Sequence, residues 1–290
     1  MTIENEYIAL SVQERGGSMT SLFDKKRGAE LLYQPKPDSW QGQDVFIFPF
    51  IARLVDQSYT YEGKTYTLKN HGLLRYMDAR MEKISPSSLQ VSFQSDESTL
   101  EHYPFEFQAF LTYSLKGNTL SLNYRIVNLS KKPMPFMIGS HPAFALPGKR
   151  TETEFDISGN RILLEGVDGT DALLQEETFS FMTGKKAWIP SPIPLNKDLF
   201  RKINTVILEA ESFDSIRLEK KDGSALVLHK EDAPYLALWS DMKFGDYVCI
   251  EPWHGLPDTL GASKEIQEKP GILTLSVGCE FSCGYRIEIL

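Results

Sequence analysis

The chain has 290 residues, of which 31 are Lys or Arg and 39 are Asp or Glu, so its formal net charge is −8 at neutral pH. Hydrophobic residues at 41% and charged residues at 24% are typical of a globular protein, which excludes a largely disordered chain, and the apolar runs are too short to span a bilayer. Because the basic residues form no cluster, the charge pattern also argues against a nucleic-acid partner.

The ends of the chain and its cysteines bear on cellular location. Residues 1–7 have neither a basic region nor an apolar stretch of the kind found in a secretion signal, so the sequence predicts a cytoplasmic protein. Cys249, Cys279 and Cys283 cannot all pair, and the last two lie about 13 Å apart if they share a strand. We therefore expect reduced thiols in the interior, with a redox or metal role as the alternative.

Period-two alternation of apolar side chains dominates the sequence and indicates β-strands. In chain order, the first clear element is a hairpin with its tip at Glu62-Gly63, followed by a strand at 89–94. The strongest signal is a long hairpin in which strands at 105–115 and 120–126 flank the Lys116-Gly117-Asn118 turn. Further strands are predicted at residues 206–209, 215–219, 225–229, 247–251, 273–277 and 285–290.

Helical periodicity is weak, and the sequence predicts at most short helical turns, for instance near residues 196–201. A Pro-rich stretch at 189–194 indicates either a long surface crossing or an ordinary loop. Since no linker interrupts the pattern, we expect one domain over residues 1–290. Many short strands of this kind predict an all-β fold built as a large antiparallel β-sandwich.

Common cofactor signatures are absent from the sequence. It contains no Gly-rich phosphate-binding motif and no G-x-S-x-G motif. The five histidines lack metal-ligand spacing, so we predict no metal and no organic cofactor, with ligands drawn from distant strands as the open alternative.

Three segments place a titratable residue within apolar sequence rich in Gly and Pro. They are residues 68–75 with His71, residues 138–146 with His141, and residues 247–256 with Glu251. The apolar run ending at Glu251 predicts a carboxyl pKa raised by desolvation. Taken singly, each residue is also compatible with a hydrogen-bonded core histidine or a solvated strand end.

In this order the segments resemble the aldose 1-epimerase (galactose mutarotase) family, particularly its LacX-like branch. The resemblance spans nearly the whole chain and is carried by residues 16–24, 40–44, 48–53, 68–72, 139–144, 236–239 and 248–252. It implies a galactose mutarotase-like supersandwich with an open cleft for one monosaccharide, and no metal or organic cofactor.

The same resemblance implies roles for individual residues. His141 resembles the general acid of the family and Glu251 its general base. His71 resembles a second histidine that contacts the sugar near its ring oxygen, and Arg53 resembles an arginine that binds sugar hydroxyls. The substrate-binding aspartate of the family has no match, since the corresponding stretch at 201–209 carries Asn204 instead.

Other residues are predicted to contact the sugar. Trp239 or Trp253 is expected to stack on its apolar face, and Asp44 is included among the substrate-binding residues. Arg75 and Arg80 are interpreted as part of a solvated face, with a phosphate contact as the alternative.

The sequence therefore predicts an isomerase that interconverts the α and β anomers of an aldose such as glucose or galactose, acting as a monomer or homodimer on a monosaccharide. Two other functions stay open. One is a non-catalytic carbohydrate-binding β-sandwich, and the other is a glycosidase that pairs Glu251 with Asp241 or Asp44.

Overall fold

The computed structural model describes residues 1–175, 181–241 and 243–290. The strands of the first half are β1 (Thr2–Glu4), β2 (Ile8–Val12), β3 (Met19–Asp24), β4 (Ala29–Glu30), β5 (Phe46–Ile47), β6 (Ser58–Tyr61), β7 (Lys64–Thr67), β8 (Arg80–Ser85), β9 (Ser88–Gln94), β10 (Phe107–Lys116), β11 (Thr119–Asn128), β12 (Met134–Phe136), β13 (Ile138–Ser140) and β14 (Ala143–Ala145). Those of the second half are β15 (Lys149–Arg150), β16 (Phe155–Asp156), β17 (Arg161–Leu164), β18 (Gly169–Gln175), β19 (Met182–Pro190), β20 (Ile193–Pro194), β21 (Val206–Glu209), β22 (Ser215–Glu219), β23 (Ala225–His229), β24 (Tyr235–Trp239), β25 (Tyr247–His254), β26 (Leu273–Leu275) and β27 (Glu280–Ile289).

Helices are short and few in the described part of the chain. The α-helices are α1 (Glu97–His102) and α2 (Lys197–Ile203), and single 3₁₀ turns lie at Val55–Gln57, Leu74–Tyr76, Ala210–Ser212 and Ile266–Glu268. None of these helices has both the length and the apolar character needed to cross a membrane.

Two large antiparallel sheets form the body of the protein. One has nine strands in the order β20-β17-β22-β23-β27-β11-β10-β9-β8. The other runs β19-β18-β21-β24-β25-β13-β5, with β14 also paired to β25, and a separate four-stranded sheet is formed by β1 to β4. The predicted all-β fold and large antiparallel sandwich are confirmed.

The inner faces of the two sheets share one hydrophobic core. Side chains on β10 and β11 alternate between buried and half-buried, apart from the exposed Lys116 and Asn123, which is the pattern that predicts this hairpin. The register from Phe107 opposite Asn128 to Lys116 opposite Thr119 confirms the predicted turn. Across the core, the Phe46 ring of β5 lies 4.9 Å from the Tyr124 ring of β11, so the two sheets pack directly on each other.

One segment differs from the sequence prediction and a second agrees with it. Most of the Pro-rich stretch at 189–194 is strand, because β19 ends at Pro190 and β20 begins at Ile193, so the crossing between the two large sheets is much shorter than expected. The helical turn predicted near 196–201 is confirmed as α2, whose Asn196 side chain accepts a hydrogen bond from the Leu199 N–H.

The cysteines are free, as predicted, but not all of them are interior. Cys249 is buried on β25, Cys283 is half-buried on β27, and Cys279 is exposed just before that strand begins. The expectation that all three thiols are buried is therefore wrong for Cys279, which lies in the turn before the strand, outside the sheet.

Candidate active site

The central strand β25 and an interrupted neighbour bring Glu251 and His141 together. On that side of β25, Gly139 of β13 lies opposite Trp253 and Ala143 of β14 lies opposite Cys249. Continuing this register between the two strands sets His141 opposite Glu251. Pro142, which has no N–H for the ladder, follows His141 at this gap. The His141 Nε2 atom lies 3.3 Å from Glu251 Oε1.

His71 reaches the same place from a pair of loops that are hydrogen-bonded to each other. Its backbone N–H donates to the Ala52 carbonyl at 2.8 Å, and the Ala52 N–H donates to His71 Nδ1 at 3.2 Å. Gly72 has φ 77°, and a Cβ there would lie 2.2 Å from the Phe48 carbonyl oxygen, so only glycine fits this close approach. Because Nδ1 accepts a hydrogen bond, the neutral ring carries its hydrogen on Nε2. The His71 and His141 ring centroids are 5.3 Å apart.

Burial controls the protonation of this group. It raises the pKa of Glu251 well above its ordinary value, and the nearby Asp44 carboxylate raises it further. Burial lowers the pKa of His141 to about 3, and the positive charge of Arg75 also lowers it. The pKa of His71 is lowered for the same reasons, with His141 adding to the effect. At neutral pH both histidines are therefore neutral, and burial favours the protonated form of Glu251.

Three buried polar atoms at the centre of the site, His141 Nδ1, Glu251 Oε2 and Trp253 Nε1, form no well-aligned hydrogen bond within the described residues. The Trp253 side chain is nevertheless close enough to the Glu251 carboxyl to lower its pKa and so partly oppose the effect of burial. Buried polar atoms are nearly always paired, since leaving one unpaired costs about 1–3 kcal/mol. Their concentration around one pair of titratable residues indicates a place where a polar ligand supplies the missing partners.

A cavity of about 280 Å³ opens onto this group. Its lining consists of Trp40, Ala52, Arg53, Asn70, His71, Arg75, His141, Gln175, Asn204, Thr205, Trp239, Glu251 and Trp253. Trp40 and Trp239 meet edge to face with centroids 5.6 Å apart, and the Trp40 ring lies 4.9 Å from that of His141. The cavity is near the lower end of the range of roughly 300–1,000 Å³ for ligand pockets, which suits a small polar molecule.

Six of the seven residues predicted for the site line this cavity: Glu251, His141, His71, Arg53, Trp239 and Trp253. Asp44 does not. It is buried, and its carboxylate accepts hydrogen bonds from the Met19 N–H at 3.1 Å and the Ser140 hydroxyl at 3.3 Å. Burial raises the pKa of Asp44 to about 6. Asp44 thus lies outside the cavity lining, and its carboxylate accepts a hydrogen bond from the strand that leads into His141.

Several lining residues were not predicted for the site. Gln175, Asn204 and Thr205 supply amide and hydroxyl groups, and Asn70 and Arg75 flank His71 in sequence. Trp40 lies within the segment 40–44 that carries the family resemblance, and this is the sequence feature from which its place in the site could be predicted. Arg75 was interpreted as part of a solvated face, and the structure instead brings it into the cavity lining.

A possible metal-ligand set overlaps the acid and base. Within the described residues, one ligand atom each from His141, Cys249 and Glu251 lie within 4.8 Å of one another. Metal ligation requires deprotonated ligands, yet burial raises the pKa of both the Cys249 thiol and the Glu251 carboxyl. These residues therefore fit proton transfer better than metal binding.

Comparisons with known proteins find relatives along most of the chain. A family model described as aldose 1-epimerase matches residues 1–271. The protein LacX of Lactococcus lactis is 28% identical over 287 residues, which cover 94% of each chain.

Solved structures agree in fold and in extent. A galactose mutarotase related enzyme from Lactobacillus acidophilus superimposes with a TM-score of 0.93 at 29% identity, covering 100% of this chain and 97% of the other. A galactose mutarotase-like protein from Lactobacillus casei gives a TM-score of 0.93 at 28% identity, with coverage of 100% and 99%. The chain belongs to the aldose 1-epimerase family.

Proposed function

We propose that this protein is a mutarotase that interconverts the α and β anomers of an aldose, with Glu251 as general base and His141 as general acid. The observation that carries the proposal is the buried His141–Glu251 pair, whose Nε2 and Oε1 atoms are 3.3 Å apart in the lining of a small cavity. A sugar ring offers two oxygen atoms, O1 and O5, on a single carbon, and the reaction must move a proton from one to the other.

The reaction takes place in two balanced halves. Ionised Glu251 removes the proton from the O1 hydroxyl while protonated His141 donates to O5, so the C1–O5 bond breaks and an aldehyde forms. After rotation about C1–C2, O5 attacks the other face of the aldehyde. His141 then recovers its proton from O5 while Glu251 returns its proton to O1. No atom or electron is gained or lost.

The pKa shifts of Glu251 and His141 favour the protonation states that these residues have while the sugar is in its open-chain form. While the sugar is open, the proton of the pair is on Glu251 and His141 is neutral. This is the distribution that burial favours, since it raises the pKa of Glu251 and lowers that of His141. The ring-closed state requires the opposite distribution, which the oxygens of the bound sugar stabilise by hydrogen bonding to the charged forms.

The remaining lining residues would bind and orient the sugar. The free Nε2 hydrogen of His71 is available to a ring or hydroxyl oxygen, and Arg53 donates to hydroxyls. Trp239 and Trp253 offer aromatic faces or edges to the apolar side of the ring. Asn204 and Gln175 provide neutral donors and acceptors in place of an aspartate.

Among the described lining residues, the glycosidase alternative finds no second carboxylate. The Oδ1 atom of Asp241 accepts from the N–H groups of Lys243, Phe244 and Gly245, and neither Asp241 nor Asp44 lines the cavity. A glycosidase needs two carboxyl groups flanking one bond, whereas Glu251 is the sole carboxyl among the described lining residues.

Polarimetry on freshly dissolved α-glucose and α-galactose tests the proposal. A mutarotase accelerates the approach to the anomeric equilibrium without releasing a new sugar. A carbohydrate-binding protein leaves the rate unchanged, and a glycosidase acts only on a glycoside. The same measurement is made on the 6-phosphates of both sugars. If the protein accelerates anomer interconversion of none of these four compounds, the proposed function is wrong.

A further inference from the structure

We infer, on the basis of the proposed mutarotase function, that the preferred substrate is an aldose carrying an anionic group, a phosphate or a carboxylate, held by Arg53 and Arg75. The argument starts from how arginines are used in this chain. Eight of the eleven arginines in the sequence form ion pairs with Asp or Glu side chains. The other three are Arg53, Arg75 and Arg80.

Two of these three line the cavity. Within the described residues, neither Arg53 nor Arg75 has a carboxylate partner or a side-chain hydrogen bond. Arg75 is half-buried and its guanidinium lies 5.1 Å from the centroid of the Tyr76 ring, a contact that leaves its N–H donors free. Burial of a cation without a counterion is unfavourable, and a bound anion would remove that cost.

The rest of the described lining does not neutralise these charges. Its described carboxyl group belongs to Glu251, which contributes at most one negative charge against two guanidinium groups, and its two histidines are neutral because their pKa values are lowered. The segment in which the family carries a substrate-binding aspartate supplies Asn204 and Thr205 here, which are uncharged. The described walls of the cavity are therefore positively charged before substrate binds.

We place the anionic group at C6 of a hexose, because both arginines lie on the pair of loops that hold His71, the proposed contact of the ring oxygen. Arg53 follows Ala52, whose N–H is bonded to His71, and Arg75 lies four residues after His71. Both arginines lie in segments outside the β-strands, whereas Glu251 lies on strand β25. C6 is bonded to C5, which carries the ring oxygen, so a C6 group lies on the same side of the sugar as that oxygen. Guanidinium groups bind phosphate and carboxylate through paired N–H donors.

The test compares glucose, glucose 6-phosphate and glucuronate by NMR magnetisation exchange between their anomers, with the uncatalysed rate of each sugar subtracted. We expect kcat/KM to be about tenfold or more higher for at least one anionic sugar, as for a charge-assisted hydrogen bond. This advantage should shrink as ionic strength rises. Comparing glucose 6-phosphate with glucuronate identifies whether the site prefers a phosphate or a carboxylate. If glucose has a kcat/KM equal to or above both anionic sugars, the inference is overturned.

Matched substitutions locate the effect. Arg75→Gln should lower the anionic-to-neutral ratio of kcat/KM about tenfold, whereas Arg80→Gln, on the exposed strand β8 outside the cavity, should leave the ratio unchanged. An unchanged ratio in the Arg75→Gln variant would also overturn the inference.

A binding measurement separates this inference from the proposed function. If no sugar is turned over, the mutarotase proposal fails, and titrating the fluorescence of the cavity tryptophans with the same three sugars still tests charge selection. Tighter binding of an anionic sugar than of glucose supports the inference. Equal or weaker binding of both anionic sugars contradicts it.

Discussion

Replacing Glu251 with Gln removes the proposed base while keeping the shape of the side chain. The amide cannot accept a proton from O1, so kcat/KM should fall about 10²-fold or more. The side chain is essentially inaccessible, with 1% of its surface exposed, so bulk solvent does not reach the position of the base. The loss should appear mainly in kcat, because the cavity walls that bind the sugar are unchanged.

The same substitution should alter stability in the opposite direction from activity. The folded-state pKa of Glu251 lies above its unfolded value, so folding takes up a proton at any pH between the two values. The free energy of unfolding then falls by about 1.4 kcal/mol for each pH unit in that window. The Gln variant has no such group. We therefore expect it to unfold at a higher temperature than the parent protein above pH 5, with the gap widening as pH rises.

Anomer exchange by NMR and thermal unfolding followed by circular dichroism measure the two effects on the same samples. Glu209→Gln is a matched control, because Glu209 lies on β21 of the same sheet in an exposed ion pair with Lys186, away from the cavity. It should change activity by less than twofold and unfolding by no more than the loss of a surface pair, about 0–1 kcal/mol. Near-normal exchange by Glu251→Gln would refute the assignment of the base.

Three further predictions follow from the site. His141→Asn should lose about as much activity as Glu251→Gln, and the double variant should be little worse than either, whereas additive losses in the exchange rate would mean that the two residues act in separate steps. His71→Asn keeps an acceptor for the Ala52 N–H and tolerates the positive φ of this position, so it should fold normally, as circular dichroism would show, but lose about tenfold in kcat/KM with the ring donor. Activity should survive dialysis against EDTA, and loss of activity restored by one metal would show that the His141, Cys249 and Glu251 set holds an ion.

The expected pH dependence follows from the direction of the shifts. Activity requires one proton on the His141–Glu251 pair. That proton is lost only when the pH exceeds the raised pKa associated with Glu251, and a second proton is added only near the lowered pKa of His141, about 3. A profile of kcat/KM against pH should thus lose its acid limb only near pH 3 and fall on the alkaline side where the pH exceeds the raised pKa. A sharp maximum near pH 6 to 7 would contradict this ordering of the two pKa values.

Much of the fold could be predicted because its signals are local. The hairpin of β10 and β11 shows its alternation within twenty residues, and Gly117-Asn118 marks its turn. The segment 189–194 misled the prediction because proline is usually read as a loop former. Here Pro190 ends one strand and Pro194 ends another on a sheet edge, where a missing N–H leaves no ladder bond unmade.

The site was only partly predictable because its geometry depends on long-range register. His141 and Glu251 stand out by their apolar surroundings, but their contact requires the pairing of Gly139 with Trp253 and Ala143 with Cys249, more than a hundred residues away in the chain. Arg75 and Asn204 carry no such local signal. From sequence alone, a polar residue in a loop is predicted to be exposed to solvent, because the residues that form the other wall of the cavity are distant in the chain.

The proposed chemistry depends on a single interruption of a sheet. Pro142 cannot donate to β25, so β13 and β14 are separate strands, and between them the Glu251 carboxyl faces an imidazole. Because β25 is central and wholly buried, the carboxyl and the imidazole both lose hydration, and each becomes more stable in its neutral form. Two neutral groups that share one proton can pass it to a sugar and take it back without moving net charge into the core. Burial on β25 therefore has two effects on the Glu251 and His141 side chains. It costs free energy on folding because both lose hydration, and it shifts their pKa values in the directions that the reaction uses.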